Sequence, residues 1–229
     1  MVNNTFAAPI IYLPMFDKPV RKIGPNNRSI TGKQVSRKSP GSQHFESSLE
    51  RDYLLLLEYD EEVLRSTAQP VTITYYKKEQ RRRYTPDVAV YFRHSSQRKP
   101  LLVEIKYQAD LITYKEELEP KFAAARHYCS HCGYEFVVIT ENEVRTERLH
   151  NIKFFSRYKG KKQDNSLSQT ISDRFKDQQK LTPKQLLSNN SNEMDGRLLY
   201  ALWQLVADGE LFFDMNKKIT MDTPIWKKQ

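Results

Sequence analysis

The sequence predicts an α/β domain with a mixed β-sheet flanked by helices, followed by a small winged-helix-like C-terminal domain. Segments with helical and with strand periodicity alternate between residues 47 and 140, which is typical of an α/β core. A lysine-rich segment with few apolar residues interrupts this pattern near residue 160, and short helices and a hairpin are predicted beyond it. The 229 residues, 38% of them hydrophobic and 11% aromatic, suffice for one large domain or two unequal ones.

The elements of the larger domain follow from the spacing of its apolar residues. That spacing predicts a helix over 47–59, then three strands over 71–76, 84–92 and 101–107. The first two strands are expected to form a hairpin around a polar turn at 77–83.

The second half of this domain consists of one helix and one strand. A helix is predicted over 115–131, and Gly133 is expected to end it in the left-handed conformation. The continuous β-branched run at 136–140 indicates a buried strand.

The C-terminal elements begin with a helix-start signal. Thr182 is expected to cap a helix, with Pro183 in its first turn and Gln185 as the capping-box partner. A second, leucine-rich helix is expected to end at Gly209, and a hairpin is predicted from strands at 211–213 and 219–221. This is the outline of a winged helix-turn-helix, although many small α+β modules share it.

The net charge of +9 is concentrated in two segments. Residues 1–41 carry +6 and residues 151–185 carry +6, whereas 42–150 and 186–229 carry −2 and −1. We therefore predict a basic extended arm over 1–41, tacked down by a short strand at 10–13. After the arm we predict a larger domain over 42–158, a basic hinge over 159–166 and a C-terminal domain over 167–229. Mobile basic segments favour a polyanion such as nucleic acid, because each neutralised phosphate releases counterions. The alternative is a solubilising tail.

Several classes of protein are excluded by composition. No apolar run approaches the roughly 18–20 residues of a membrane span, and no secretory leader is expected. Two cysteines exclude a disulfide framework and favour the reducing cytoplasm. The sequence has no glycine-rich phosphate loop and no nucleophile elbow, so neither an ATPase nor an acyl-transfer enzyme is indicated.

Two predicted strands carry the residues that suggest chemistry. Asp87 opens one strand, and Glu104 and Lys106 lie on the next, where they share a face because strand side chains alternate. If the strands are adjacent, two carboxylates and an ammonium converge, and carboxylate oxygens suit Mg²⁺ or Mn²⁺. Lys106 would then position or deprotonate water, or offset charge on a phosphate. The competing interpretation is a strand whose alternate polar residues face solvent, but the apolar residues around Glu104 favour burial.

Two further features each have a structural alternative. Glu50 is a fourth acidic candidate, but Ser47 followed by Glu50 is also a capping box, and Glu46 could compete for either role. Cys129 and Cys132, close to two histidines, could suggest zinc. A single cluster within a helix end lacks the usual two spaced pairs, so a core position is favoured.

Several segments, taken in order, resemble TnsA, the endonuclease subunit of heteromeric cut-and-paste transposases of bacteria. They are SSLERDYLLLLEY at 47–59, YTPD at 84–87, VEIK at 103–106, YEFVVITE at 134–141, and the tail at 209–226. The resemblance covers nearly all of the chain beyond the arm, and the ordered set is more specific than any one motif.

This resemblance implies a restriction-endonuclease-like fold with a PD-(D/E)xK active site. It assigns catalytic roles to Glu50, Asp87, Glu104 and Lys106, and a metal shell to the three carboxylates and the carbonyl of Ile105. Some members of the family have glutamine where this sequence has Glu104, which supplies an acidic ligand.

The resemblance also implies a function. It predicts a Mg²⁺-dependent endonuclease that cuts the 5′ strands at transposon-end DNA, while the TnsB transposase cuts and joins the 3′ ends. The C-terminal region would grip DNA or dock the TnsC ATPase, and its charge of −1 favours docking. Two alternatives stay open: another nuclease of this fold, such as a restriction or junction-resolving enzyme, and a non-catalytic DNA-binding adaptor.

Overall fold

The protein consists of two compact units, residues 1–144 and 145–229. The computed structural model describes residues 16–20, 31–39, 41–177, 179–187 and 192–227. The short strand predicted at 10–13 lies outside the described residues. Within the described ranges, the helices lack the length and apolar content that crossing a bilayer requires.

The first unit begins with strands β1 (Gly32–Gln34) and β2 (Gln43–Phe45), helix α1 (Ser48–Tyr59) and strand β3 (Val63–Ala68). Strands β4 (Ile73–Lys77), β5 (Gln80–Tyr84), β6 (Val88–Phe92) and β7 (Leu101–Ile105) follow, with a 3₁₀ turn (His94–Ser96) before β7. The unit ends with helices α2 (Gln108–Thr113) and α3 (Lys115–Cys132), strand β8 (Glu135–Ile139) and helix α4 (Glu141–Val144).

A mixed four-stranded sheet organises this unit. Its strand order is β3-β6-β7-β8, in which β7 and β8 are parallel and the other neighbours are antiparallel. Helix α3 packs against β8, and α1 packs against β3. The predicted α/β class with a mixed sheet and flanking helices is therefore confirmed, and it agrees with a restriction-endonuclease-like fold.

The predicted hairpin differs from the observed one. We expected 71–76 to pair with 84–92, but β4 pairs with β5, and β6 pairs with β3. Residues 80–83, which belonged to the predicted turn at 77–83, lie in strand β5 of an exposed two-stranded ribbon. Strand β3 was missed because its buried residues include Ser66 and Thr67. Gln43 donates a 2.7 Å hydrogen bond to Ser66, so burial of this hydroxyl is compensated.

Part of the predicted basic arm is bound to the body of the first unit. Strand β1 pairs with β2, and the backbone N–H of Ser66 donates to the carbonyl of Lys38. The Lys38 ammonium donates to the carbonyls of Leu57 and Asp60 at the C-terminal end of α1, where a cation is favourable. Residues 31–39 therefore stabilise a helix end.

The end of α3 agrees with the sequence. Gly133 has φ = 73°, and the N–H of Tyr134 donates to the carbonyl of Cys129 at 3.0 Å. Cys129 and Tyr134 both belong to the core cluster under the sheet.

The second unit contains α5 (Glu147–Phe155), α6 (Asn165–Asp177), β9 (Lys180–Leu181), α7 (Pro183–Leu187), α8 (Asn192–Ala207), β10 (Leu211–Phe212) and β11 (Ile225–Lys227). Its antiparallel sheet has the order β10-β11-β9. The capping box predicted for α7 is present: Gln185 N–H donates to Thr182 Oγ1 at 3.2 Å, and Thr182 N–H donates to Gln185 Oε1 at 2.8 Å. Whether this unit is a winged helix stays a prediction.

The second strand of the C-terminal hairpin was predicted wrongly. Residues 219–221 form a loop, and β10 pairs instead with β11. Buried Asn151 holds this loop by donating to the carbonyls of Met215 and Lys217, at 2.9 and 2.7 Å, and by accepting from the N–H of Ile219 at 3.4 Å. The polar groups of the loop are thus paired with a side chain from α5 and not with a strand.

The division between the units also differs from the predicted boundary at 158/159. Helix α5 belongs to the second unit, because buried Phe155 packs in the core formed around α8. The predicted hinge at 159–166 is held within that unit: Gln163 donates to Asp208 at 2.8 Å, and buried Gln204 donates to the carbonyl of Lys162 at 3.1 Å.

Candidate active site

The site is built on the adjacent strands β6 and β7. Val88 pairs with Val103, so the positions that come next along the two strands are Asp87 and Glu104. The N–H of Asp87 donates to the carbonyl of Val103 at 3.0 Å, which extends the ladder by one bond. In return, Asp87 Oδ2 accepts a 2.7 Å hydrogen bond from the N–H of Ile105. The backbone of β7 therefore fixes the orientation of the Asp87 carboxylate.

Glu104 is a buried carboxylate with three partners. Its side chain is 2% exposed, and its Oε2 accepts a 2.7 Å hydrogen bond from the Tyr84 hydroxyl. Its Oε1 lies 2.8 Å from Lys121 Nζ and 3.5 Å from Lys106 Nζ. A buried charge is tolerated when it is paired and hydrogen-bonded, as here.

Lys106 is held in its charged form. Burial lowers the pKa of Lys106, but the carboxylates of Glu104, Asp87 and Glu50 outweigh this effect and raise it above its ordinary value. Its side chain is 33% exposed, so the ammonium reaches solvent. In this metal-free arrangement Lys106 places a positive charge beside Glu104.

Asp87 lies near two other carboxylates, those of Glu104 and Glu50. Burial, together with the carboxylates of Glu104 and Glu50, raises the pKa of Asp87 well above its ordinary value, against the opposing effects of Lys106 and the N–H of Ile105. The Oδ1 atom accepts no hydrogen bond from the described residues. An excess of negative charge and an available oxygen favour a cation at this position.

Glu50 caps α1 and also contributes to the electrostatics of the site. Glu50 N–H donates to Ser47 Oγ at 3.1 Å, Ser47 Oγ donates to Glu50 Oε1 at 3.0 Å, and Glu46 N–H donates to Oε2 at 2.8 Å. Burial raises the pKa of Glu50 in spite of these hydrogen bonds. The Glu50 carboxylate contributes to raising the pKa of Asp87 and of Lys106, so it acts electrostatically on the same site.

Sequence reasoning missed Lys121 and Tyr84. Lys121 lies on α3, closer to Glu104 than Lys106 does, and its Nζ is 4.8 Å from the centre of the Tyr84 ring. For Lys121 the helical periodicity carried a signal. Lys121, Ala125 and Cys129 are spaced four residues apart and so share one face of α3, and the other two are buried, which places Lys121 on the inward face. No such signal existed for Tyr84, whose hydroxyl reaches Glu104 across the fold.

The cysteine and histidine cluster at the end of α3 is divided between the core and the surface. Cys129 is buried in the core, where burial and neighbouring Cys132 raise its pKa to about 12. The rings of His127 and His131 contact each other at the surface with their planes tilted by 58°. Over the residues that the structure describes, histidine, cysteine, aspartate and glutamate form no cluster of three or more in a metal-holding arrangement. The favoured core interpretation of Cys129 agrees with its burial.

A comparison with known families gives a match over the segment that contains most of these residues. Residues 60–141 match the family model described as TnsA-like endonuclease N terminal. Over this segment the chain is similar to the TnsA-like endonuclease domain. No curated protein matches the chain.

The TnsA-like match covers a little over a third of the chain and contains most of the site. Asp87, Glu104, Lys106 and Lys121 lie within the TnsA-like segment, whereas Glu50 lies before it. The residues that converge on Glu104 therefore belong to the segment that carries the endonuclease family's pattern.

Proposed function

We propose that the protein is a metal-dependent DNA endonuclease of a heteromeric transposase, which cuts the 5′, non-transferred strands at transposon ends. The observation that carries this proposal is the convergence of Asp87, Glu104 and Lys106 inside the TnsA-like segment, with Glu50 beside them. Carboxylates on two adjacent strands, a further acid nearby and a charged lysine are residue types that support metal-dependent phosphodiester hydrolysis.

Carboxylate oxygens of the kind that Asp87, Glu104 and Glu50 supply are ligands for Mg²⁺, with Mn²⁺ as a substitute, but in the described residues they do not form a preassembled metal-holding cluster. Asp87 Oδ1 is available, and Glu104 Oε2 has a second lone pair beyond the hydrogen bond that it accepts from Tyr84. Glu50 and the carbonyl of Ile105 would complete the shell. A bound Mg²⁺ would orient water and neutralise charge on the phosphate.

The residues of the chain prepare this site. The N–H of Ile105 orients Asp87, while Lys121 and Tyr84 fix both oxygens of Glu104. Lys106, kept protonated by its acidic neighbours, would stabilise the negative charge that builds on the phosphate during cleavage.

The proposed partners are transposon-end DNA, the TnsB transposase and the TnsC ATPase. Joint cutting by this protein and TnsB would release the element for cut-and-paste movement. In such an assembly the nuclease needs little base readout of its own, which agrees with charge suited to phosphate contacts. The C-terminal segment 186–229, with a charge of −1, is better suited to docking TnsC than to binding DNA.

The test is an excision assay with the partner transposase, comparing the wild type with Asp87→Ala and Lys106→Ala. Both variants should fold, retain partner binding and lose 5′-strand cleavage by at least about a hundredfold. Events at the 3′ strands should persist and give cointegrate-type products. Lys99→Ala, an exposed lysine between the same strands, is the matched control and should excise normally.

Two results would refute the proposal. Normal excision by the Asp87 and Lys106 variants would mean that the protein is an adaptor without catalytic activity. Efficient cleavage of naked DNA without the transposase, with its own sequence or junction preference, would instead indicate a restriction or junction-resolving nuclease.

A further inference from the structure

The β4–β5 hairpin carries a concentration of positive charge in the segment that was predicted to be a polar turn. Residues 77–83 contain five basic side chains and one acidic one. Within the described part of the chain, none of the five forms an ion pair with a carboxylate. The basic residues are Lys77, Lys78, Arg81, Arg82 and Arg83.

The pairing register sorts these side chains onto two faces. Tyr75 is opposite Arg82 and Lys77 is opposite Gln80, so all four share one face; Arg81 and Arg83 lie on the other. The first face, together with Lys78 at the turn, lines a groove of about 360 Å³ whose opposite wall is α3. The groove is thus basic on its hairpin side.

Lys121 connects this groove to the candidate active site. It lines the groove from α3, and its Nζ lies 2.8 Å from Glu104 Oε1. A chain of cationic groups therefore runs from the hairpin through the groove to the buried carboxylate. The lining also includes one carboxylate, Glu117.

We infer that this groove binds the sugar–phosphate backbone of the DNA strand that is cut, and that Lys77 and Arg82 contact phosphates next to the scissile one. The inference rests on the proposed nuclease function and adds the path of the substrate. Cationic groups that contact phosphates position a duplex without reading its sequence. The alternative role of these charges is to prevent edge-to-edge aggregation of strands. That role would involve both faces of the hairpin equally, whereas binding DNA in the groove would involve one face.

The test is equilibrium binding of the full chain to a fluorescent transposon-end duplex, measured by anisotropy in EDTA so that no cleavage occurs. Lys77→Ala/Arg82→Ala should weaken binding at least about tenfold at 0.1 M salt, and should reduce the slope of log K against log salt by about 1.8. Arg81→Ala/Arg83→Ala is the matched control: it removes the same charge from the opposite face and should change affinity less than about threefold. Glu117→Gln should tighten binding, a gain that misfolding does not produce.

Equal losses in the two double variants, an unchanged salt slope, or no binding by the wild type would overturn the groove assignment. This outcome is distinct from failure of the nuclease proposal. If Asp87→Ala cleaves normally, the nuclease proposal fails. If Asp87→Ala is inactive while Lys77→Ala/Arg82→Ala binds like the wild type, only the groove fails.

Discussion

The Glu104 carboxylate shows how a single buried residue depends on partners that are distant in the sequence. Lys106 is two positions away, but the closer ammonium belongs to Lys121, 17 residues along the chain. Removing one member of a buried ion pair leaves the other charge uncompensated, which costs more than the pair itself contributes.

We expect Lys121→Met to lower the free energy of unfolding by about 2 kcal/mol, because Glu104 would keep only the longer contact with Lys106 and the hydroxyl of Tyr84. The measurement is urea unfolding in EDTA. Adding Glu104→Gln should recover most of the loss, since no buried charge then remains. Lys115→Met, at an exposed position of the same helix, should change stability little. A double variant as unstable as the single one would contradict the electrostatic explanation.

The ionised carboxylate of Asp87 should lower the free energy of unfolding of the metal-free protein. Its folded-state pKa lies above the ordinary value of 3.8, so the wild type loses stability as the pH rises from that value through the folded-state pKa. Asp87→Asn removes the ionisation and keeps an oxygen that can accept from Ile105. It should therefore raise the unfolding free energy at pH 7 by about 1 kcal/mol and flatten the pH dependence. Thermal unfolding in EDTA between pH 4 and 8 tests this, and a variant less stable than the wild type at pH 7 would contradict it.

The turn of the β4–β5 hairpin has a backbone conformation that its two residues, Lys78 and Glu79, rarely adopt. Lys78 and Glu79 both have positive φ, 48° and 62°, as a tight two-residue turn requires. Such turns favour Asn-Gly, and a side chain with a Cβ in this conformation costs roughly 1–2 kcal/mol. The basic residues of the hairpin are therefore held on a turn that is strained for them.

Glu79→Gly should raise the free energy of unfolding by about 0.5–1 kcal/mol, because relief of strain exceeds the added entropy of the unfolded chain. Glu79→Ala is the control: it removes the same charge but keeps the Cβ, so it should give no such gain. Urea midpoints of the three proteins make the comparison. Equal stabilisation by alanine and glycine would attribute the effect to charge.

At the scale of the whole molecule, the chain is divided by packing and not by composition. The lysine-rich segment near residue 160 predicted a hinge, but its polar groups are hydrogen-bonded within the second unit. Phe155 and Asn151, which precede that segment, are buried in the same unit. The structural boundary at 144/145 therefore leaves α5 with the C-terminal elements.

A fragment of residues 145–229 should fold cooperatively on its own, whereas a fragment of residues 159–229 should be several kcal/mol less stable or unfolded. The shorter fragment loses the buried Phe155 ring and the amide that satisfies the 215–219 loop. Thermal unfolding followed by circular dichroism distinguishes the two fragments. Equal melting temperatures would place α5 outside the stabilising core.

The sequence by itself determined the α/β class, the ends of α1 and α3, the capping box of α7, and the placement of Asp87, Glu104 and Lys106 on two successive strands, whose pairing only the structure showed. Each of these follows from a local pattern: a periodicity, a cap, or the alternation of side chains along a strand. The tertiary structure alone decided that β3 and not β4 pairs with β6, and that Lys121 and Tyr84 fix Glu104 from 17 and 20 residues away. It also decided that the basic run 77–83 spans the end of β4, the turn and most of β5. No local sequence pattern in these segments indicates which distant segment they contact. Burial and strand pairing depend on packing across the whole unit and not on neighbouring residues.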